Sequence, residues 1–131
     1  MHTEDLKTIL APIFEKHAEC LTAAYLFGSL AEGTQTFRSD IDIALLLNTV
    51  DKKNVAELKV AIYTDICRAL KRNDIDIVIL SLSGNLLLND QIVRKGQLLY
   101  SSDEDLQKGF EVSLLHRCID FKKQRHLSMG V

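Results

Sequence analysis

The 131-residue chain predicts a mixed α/β (α+β) fold, a small mixed sheet flanked by helices and closed by a long C-terminal helix. Three observations carry this expectation. Short apolar runs rich in branched residues, AAYLF from Ala23, IDIALLL from Ile41 and IDIVIL from Ile75, have the length and composition of buried strands. The stretches around them place apolar residues at helical spacing. Strand, helix and strand follow one another over residues 41–80, which requires a crossover within the sheet. The length suffices for one real core but not for two, so residues 1–131 are expected to form a single domain.

The first helix is expected over residues 3 to about 17, with Leu6, Ile9, Leu10, Ile13 and Phe14 on its covered side. Thr3 suits its N-cap, and Glu4 and Asp5 suit the positive end of the helix. Pro12 lacks an N–H and crowds the preceding turn, so a kink or break is expected there. The strand over 23–27 ends at Gly28, where the backbone can bend sharply, and a short helix over 30–32 follows. After the strand over 41–47, a polar turn over 48–53 leads to a second helix over about 54–71. Its buried side is Val55, Leu58, Ile62, Ile66, Ala69 and Leu70. Arg72-Asn73-Asp74 turn the chain into the strand over 75–80. A helix over 86–95 is ended by Gly96, and residues 97–100 add an edge strand. Ser101-Ser102 cap the last helix, opened by Asp103, Glu104 and Asp105. Its apolar stripe is Leu106, Phe110, Leu114, Ile119 and Phe121.

Composition narrows the function. An apolar fraction of 47% and a charged fraction of 26% suit a soluble globular protein. No apolar run approaches the length of a membrane span, and Met1-His2-Thr3 opens directly into charged residues without a secretory signal. Cys20, Cys67 and Cys118 are odd in number and scattered. They predict reduced, buried thiols in a cytoplasmic protein, not a disulfide or zinc framework. A net charge of −2 argues against a general nucleic-acid binder, although metal ions can supply the local charge of a nucleotide site. His2, His17, His116 and His126 show no ligand spacing. A Walker-type loop and a hydrolase nucleophile elbow are both absent.

The chemistry concentrates between Phe27 and Leu47. Alternation along the strand sends Asp40 and Asp42 to one side and Ile41 and Ile43 to the other. Like charges about 4 Å apart repel by roughly 4 kcal/mol at an effective dielectric near 20. Such a pair therefore needs a proton, solvation or a cation, and Mg²⁺ with its preference for carboxylates and phosphates suits the third case. Gly28 permits close approach of backbone to ligand, and Ser29 offers a hydroxyl and an N–H for an anion. Asp74 and Asp76 share strand parity. Asp76 lies inside the third strand while turn chemistry explains Asp74, so Asp76 is the expected third carboxylate.

Gly28-Ser29, ten intervening residues, then Asp40-Ile41-Asp42 resemble the signature of polymerase-β-type nucleotidyltransferases, with Ser39 and the later Asp76 in support. The short chain resembles more narrowly the minimal nucleotidyltransferase (MNT) antitoxins that partner HEPN-domain toxins. The resemblance implies a polymerase-β-like head in which Asp40, Asp42 and Asp76 are catalytic and hold two Mg²⁺ ions. Gly28, Ser29 and Ser39 would bind the nucleotide. It implies transfer of AMP from ATP to a tyrosine hydroxyl of a cognate HEPN ribonuclease, neutralising that toxin in the cytoplasm. The expected partners are that toxin and ATP, in a hetero-oligomer or homodimer, with no membrane and no direct nucleic-acid binding. Two other readings stand beside it: an antitoxin acting by occlusion alone, and adenylylation of a small molecule such as an aminoglycoside, which would need a second wall for the acceptor.

Overall fold

A computed structural model describes residues 3–28, 41–48, 51–82 and 84–129. Helices and strands run in the order α1 (Thr3–Lys16), β1 (Leu21–Phe27), β2 (Ile41–Leu47), α2 (Lys52–Leu70), β3 (Ile75–Ile79), α3 (Leu86–Lys95), β4 (Gln97–Ser101) and α4 (Glu104–Met129). The strands form a mixed sheet in the order β3-β2-β1-β4. β1 is antiparallel to both β2 and β4, while β2 and β3 are parallel and joined by α2 as a crossover.

Alternation divides the sheet into two unlike faces. Leu26, Ile41, Ile43, Leu45, Ile75 and Ile77 point to one side and pack with Leu6, Leu10 and Phe14 of α1 and Ile62, Ile66 and Leu70 of α2. Fully burying one such side chain stabilises by about 1.5–3 kcal/mol, so this layer is the main source of stability. Ala23, Tyr25, Ala44 and Leu46 point the other way and pack with Ile92 of α3 and Phe110 of α4. The Tyr25 hydroxyl donates to Glu111 Oε1 at 2.8 Å, and the Gln107 amide donates to the same oxygen at 3.3 Å. This bridge ties α4 to the middle of the sheet. Burial and the Glu111 carboxylate push the Tyr25 phenol well above its ordinary pKa.

Several local expectations are corrected. Pro12 does not break α1, which continues through it to Lys16. Pro12 and Thr8 both lie on the exposed side, where water can serve the carbonyl that the missing N–H leaves. In α2 the buried residues are Ile62, Ile66 and Leu70, whereas Ala69 is exposed and Cys67 packs on the core instead. The cap of α4 is Asp103, whose Oδ1 accepts from Leu106 N at 3.1 Å, not the serine pair. Ser102 extends the sheet: its N–H donates to Thr22 O at 2.9 Å and its hydroxyl to Leu21 O at 2.7 Å. On α4 the covered positions are Gln107, Leu114 and Cys118, with Phe110 beside them, while Leu106 and Ile119 are more than half exposed. The expected helix over 30–32 and the side chain of Phe121 lie outside the described residues.

None of the three cysteines forms a disulfide: Cys118 is buried and its thiol donates to Leu86 O at 3.3 Å, and Cys20 and Cys67 are half-buried. Among the described residues no helix is long and apolar enough to cross a membrane.

Candidate active site

The ends of β1, β2 and β3 meet at one edge of the sheet. Asp42 on β2 is the register partner of Asp76 on β3 and also of Phe27 on β1. Parity puts Asp42 with Ala44 and Leu46, on the side of α3 and α4, and Asp76 with Val78 on that same side. Neighbouring strands run about 4.8 Å apart, so the two carboxylates share one small volume. Asp42 is half-buried and Asp76 is exposed.

Gly28 follows Phe27 at this edge with φ 79°, a left-handed conformation that suits glycine. A Cβ at residue 28 would run into Asp42 Oδ2. Glycine suits the bend, and any side chain there would also have to displace the Asp42 carboxylate. Ser29, Ser39 and Asp40 lie outside the described residues. Among the described residues no three His, Cys, Asp or Glu side chains gather as a metal group. The donors that do come together, Asp42 and Asp76, are hard carboxylate oxygens on adjacent strands, and that donor set fits magnesium.

Asp74 has a different task. The Arg72 guanidinium grips it with both arms, Nε donating to Oδ1 at 2.6 Å and Nη2 to Oδ2. That fork holds the Asp74 carboxyl below its usual range. Its carbonyl oxygen meanwhile accepts from Ile41 N at 3.1 Å, fastening the start of β2 to the approach of β3. Asp74 is thus a latch beside the site, and Asp76 is the residue that faces Asp42.

A cavity of about 170 Å³ opens beside Gly28, lined by Phe27, Leu88, Gln91, Ile92, Lys95 and Gly96. Leu88, Gln91, Ile92 and Lys95 form one helical face of α3, an i, i+3, i+4, i+7 pattern that the sequence displays but that reads there simply as an amphipathic helix. Gly96 closes α3 in an extended conformation, φ −76° and ψ 173°, not as a left-handed cap. A side chain there would strike Ile92 O and approach Leu26 O to 2.8 Å. The absence of one lets the end of α3 press against β1.

Comparison with known proteins agrees with this geometry. The family model described as "Polymerase beta, Nucleotidyltransferase" matches residues 9–105. The protein adenylyltransferase MntA of Shewanella oneidensis is 40% identical over 86 residues, covering 65% of this chain and 58% of that relative. The chain thus spans less than two thirds of that relative's length. A crystal structure of a toxin–antitoxin with AMP-PNP superposes with a TM-score of 0.72 at 27% identity, covering 95% of both chains. A structure of a tri-AMPylated Shewanella oneidensis HEPN toxin in complex with MNT antitoxin shares the fold, with a TM-score of 0.69 at 23% identity over 98% of this chain and 96% of that one. Paired carboxylates on parallel strands, a glycine bend against one of them, and a family match across most of the chain lead to one statement: this chain belongs to the polymerase beta nucleotidyltransferase family.

Proposed function

We propose that this chain is an antitoxin that transfers AMP from ATP to a tyrosine hydroxyl of a cognate HEPN ribonuclease toxin. The observation that carries the reading is the in-register pairing of Asp42 with Asp76 beside the Gly28 bend. The adenylyltransferase name of the Shewanella relative and the AMP-PNP and tri-AMPylated complexes supply the donor, the product and the partner.

In this mechanism the bend at Gly28, with Ser29 and Ser39, orients the donor's phosphates. Asp40, Asp42 and Asp76 would hold magnesium, which supplies positive charge to offset that of the phosphoryl oxygens. The acceptor hydroxyl approaches from the β3 side, where Asp76 is exposed and placed to take its proton. The hydroxyl oxygen bonds to the α-phosphorus, the α–β phosphoanhydride bond breaks, and pyrophosphate departs on the opposite side. Arg72 keeps Asp74 out of this exchange and holds the β2–β3 edge in place.

The test is incubation with the HEPN protein, ATP and Mg²⁺, read by mass spectrometry. The partner should gain adenylyl increments, and Asp76→Asn should stop them. Neutralisation of the toxin without any mass change, retained by Asp76→Asn, would replace this reading with occlusion.

A further inference from the structure

We infer that the cavity between α3 and the end of β1 receives the nucleoside part of the donor nucleotide, and that Gln91 and Leu88 set the choice of base. The inference rests on the transferase reading and deepens it.

Position across the sheet is the first argument. The order β3-β2-β1-β4 places Asp76, Asp42 and then Gly28 in succession, with the cavity beyond Gly28. In-line transfer requires the acceptor and the leaving group on opposite sides of the phosphorus. With the acceptor on the Asp76 side, the leaving pyrophosphate lies toward Gly28, and the nucleoside, which stays on the α-phosphorus through another oxygen, takes the recess beside that bend. The second argument is the order of side chains along α3. Its C-terminal end is pressed against β1 at Leu26, so Lys95 lies toward the Gly28 end and Leu88 farther away. Seven residues of helix span about 10 Å, roughly the reach from a nucleotide's phosphates to its base.

Chemistry follows the same order. Lys95 is exposed and, among the described residues, pairs with no carboxylate, whereas its neighbour Arg94 is engaged by Asp90 at 3.1 Å. A free ammonium at the Gly28 end suits phosphate. Beyond it, Phe27, Ile92 and Leu88 give the cavity an apolar lining suited to a flat heterocycle. Gln91, exposed on the same face, offers one acceptor and two donors. That complements the N6–N7 edge of adenine, which sets one donor beside one acceptor, whereas the same edge of guanine presents two acceptors, O6 and N7.

The test compares binding of AMP-PNP, GMP-PNP and inorganic tripolyphosphate by calorimetry in the presence of Mg²⁺. Leu88→Ser should weaken AMP-PNP severalfold and leave tripolyphosphate unchanged, which also shows that the variant is folded. Gln91→Leu should lower the preference for AMP-PNP over GMP-PNP by about tenfold. Lys95→Gln should weaken AMP-PNP and tripolyphosphate alike. If Leu88→Ser and Gln91→Leu bind all three probes as the wild type does, the base lies elsewhere and this inference is overturned while the transferase reading stands. If they weaken tripolyphosphate as much as AMP-PNP, the cavity holds phosphates and the inference is overturned in that way. Absence of AMP-PNP binding by the wild-type chain would remove the transferase reading and this inference together.

Discussion

On one face of the sheet, Ile41, Ile43 and Leu45 of β2 disappear beneath α1 and α2. On the other, Asp42 stays half-buried, Ala44 keeps the surface low, and a tyrosine–glutamate–glutamine bridge replaces part of the apolar packing. The same strand thus serves two ends by alternating residues. Continuous apolar packing on the first face allows the second to carry repelling carboxylates, a glycine bend and an open cavity. Stability and chemistry are separated by one residue along the chain and by the thickness of the sheet in space.

Adjacent residues offer the sharpest test of that division. Asp42→Asn should lower AMP transfer by on the order of 10³-fold or more, because charge stabilisation at the phosphoryl group is lost. Its denaturant midpoint should move far less than that of a core truncation, because Asp42 lies outside the buried apolar layer. Ile43→Ala should do the reverse, costing about 2–5 kcal/mol in urea unfolding while leaving transfer per folded molecule unchanged. An Ile43→Ala protein that stays folded but inactive would break the division.

A middle-sized effect is expected from the bridge. Tyr25→Phe leaves Glu111 short of a partner in partly buried surroundings and should cost about 1–3 kcal/mol. Its pH dependence has a definite sign. The folded state holds the Tyr25 proton more tightly than the unfolded state does, so wild-type stability falls as pH rises past about 10. Urea titrations from pH 8 to 11 should show a shallower alkaline decline in Tyr25→Phe. Tyr100, raised to about 12 by burial and by Glu15, retains its own share of that decline.

The smallest change belongs to the apolar face's rim. Asp65 accepts from His17 Nε2 at 3.2 Å and Lys16 Nζ at 3.4 Å, and these partners hold its carboxyl below the usual range. Its stabilisation is complete above about pH 4 and fades as pH falls through the lowered folded value. Asp65→Asn should therefore lose a little stability at neutral pH and nothing further in acid, a difference that thermal melts between pH 3 and 7 would reveal.

Most of the apolar face was legible in the sequence, because the branched residues of β2 and β3 recur at strand spacing on the side that α1 and α2 cover. α3 was legible for another reason: Asn85 caps its start, accepting from Leu88 N at 3.1 Å, and Gly96 stops it. The pairing of Asp42 with Asp76 followed from parity once both strands were recognised. What stayed hidden depends on contacts between distant segments. Gly96 reads as an ordinary helix terminator, yet its role is set by Leu26 of β1. Strand position already favoured Asp76 over Asp74, but the Arg72 fork that occupies Asp74 could not be read from the sequence. α4 carries apolar residues on more than one side, and which side is covered was decided by the Tyr25 bridge and α3.

The crossover through α2 has a consequence for how this protein can be assayed. Asp42 and Asp76 sit on different strands and become neighbours only when a long loop has closed and the parallel pair has zipped in register. No hairpin can bring them together, because their strands are parallel. A turnover signal therefore counts fully native molecules, and its return during refolding should lag behind the recovery of helix.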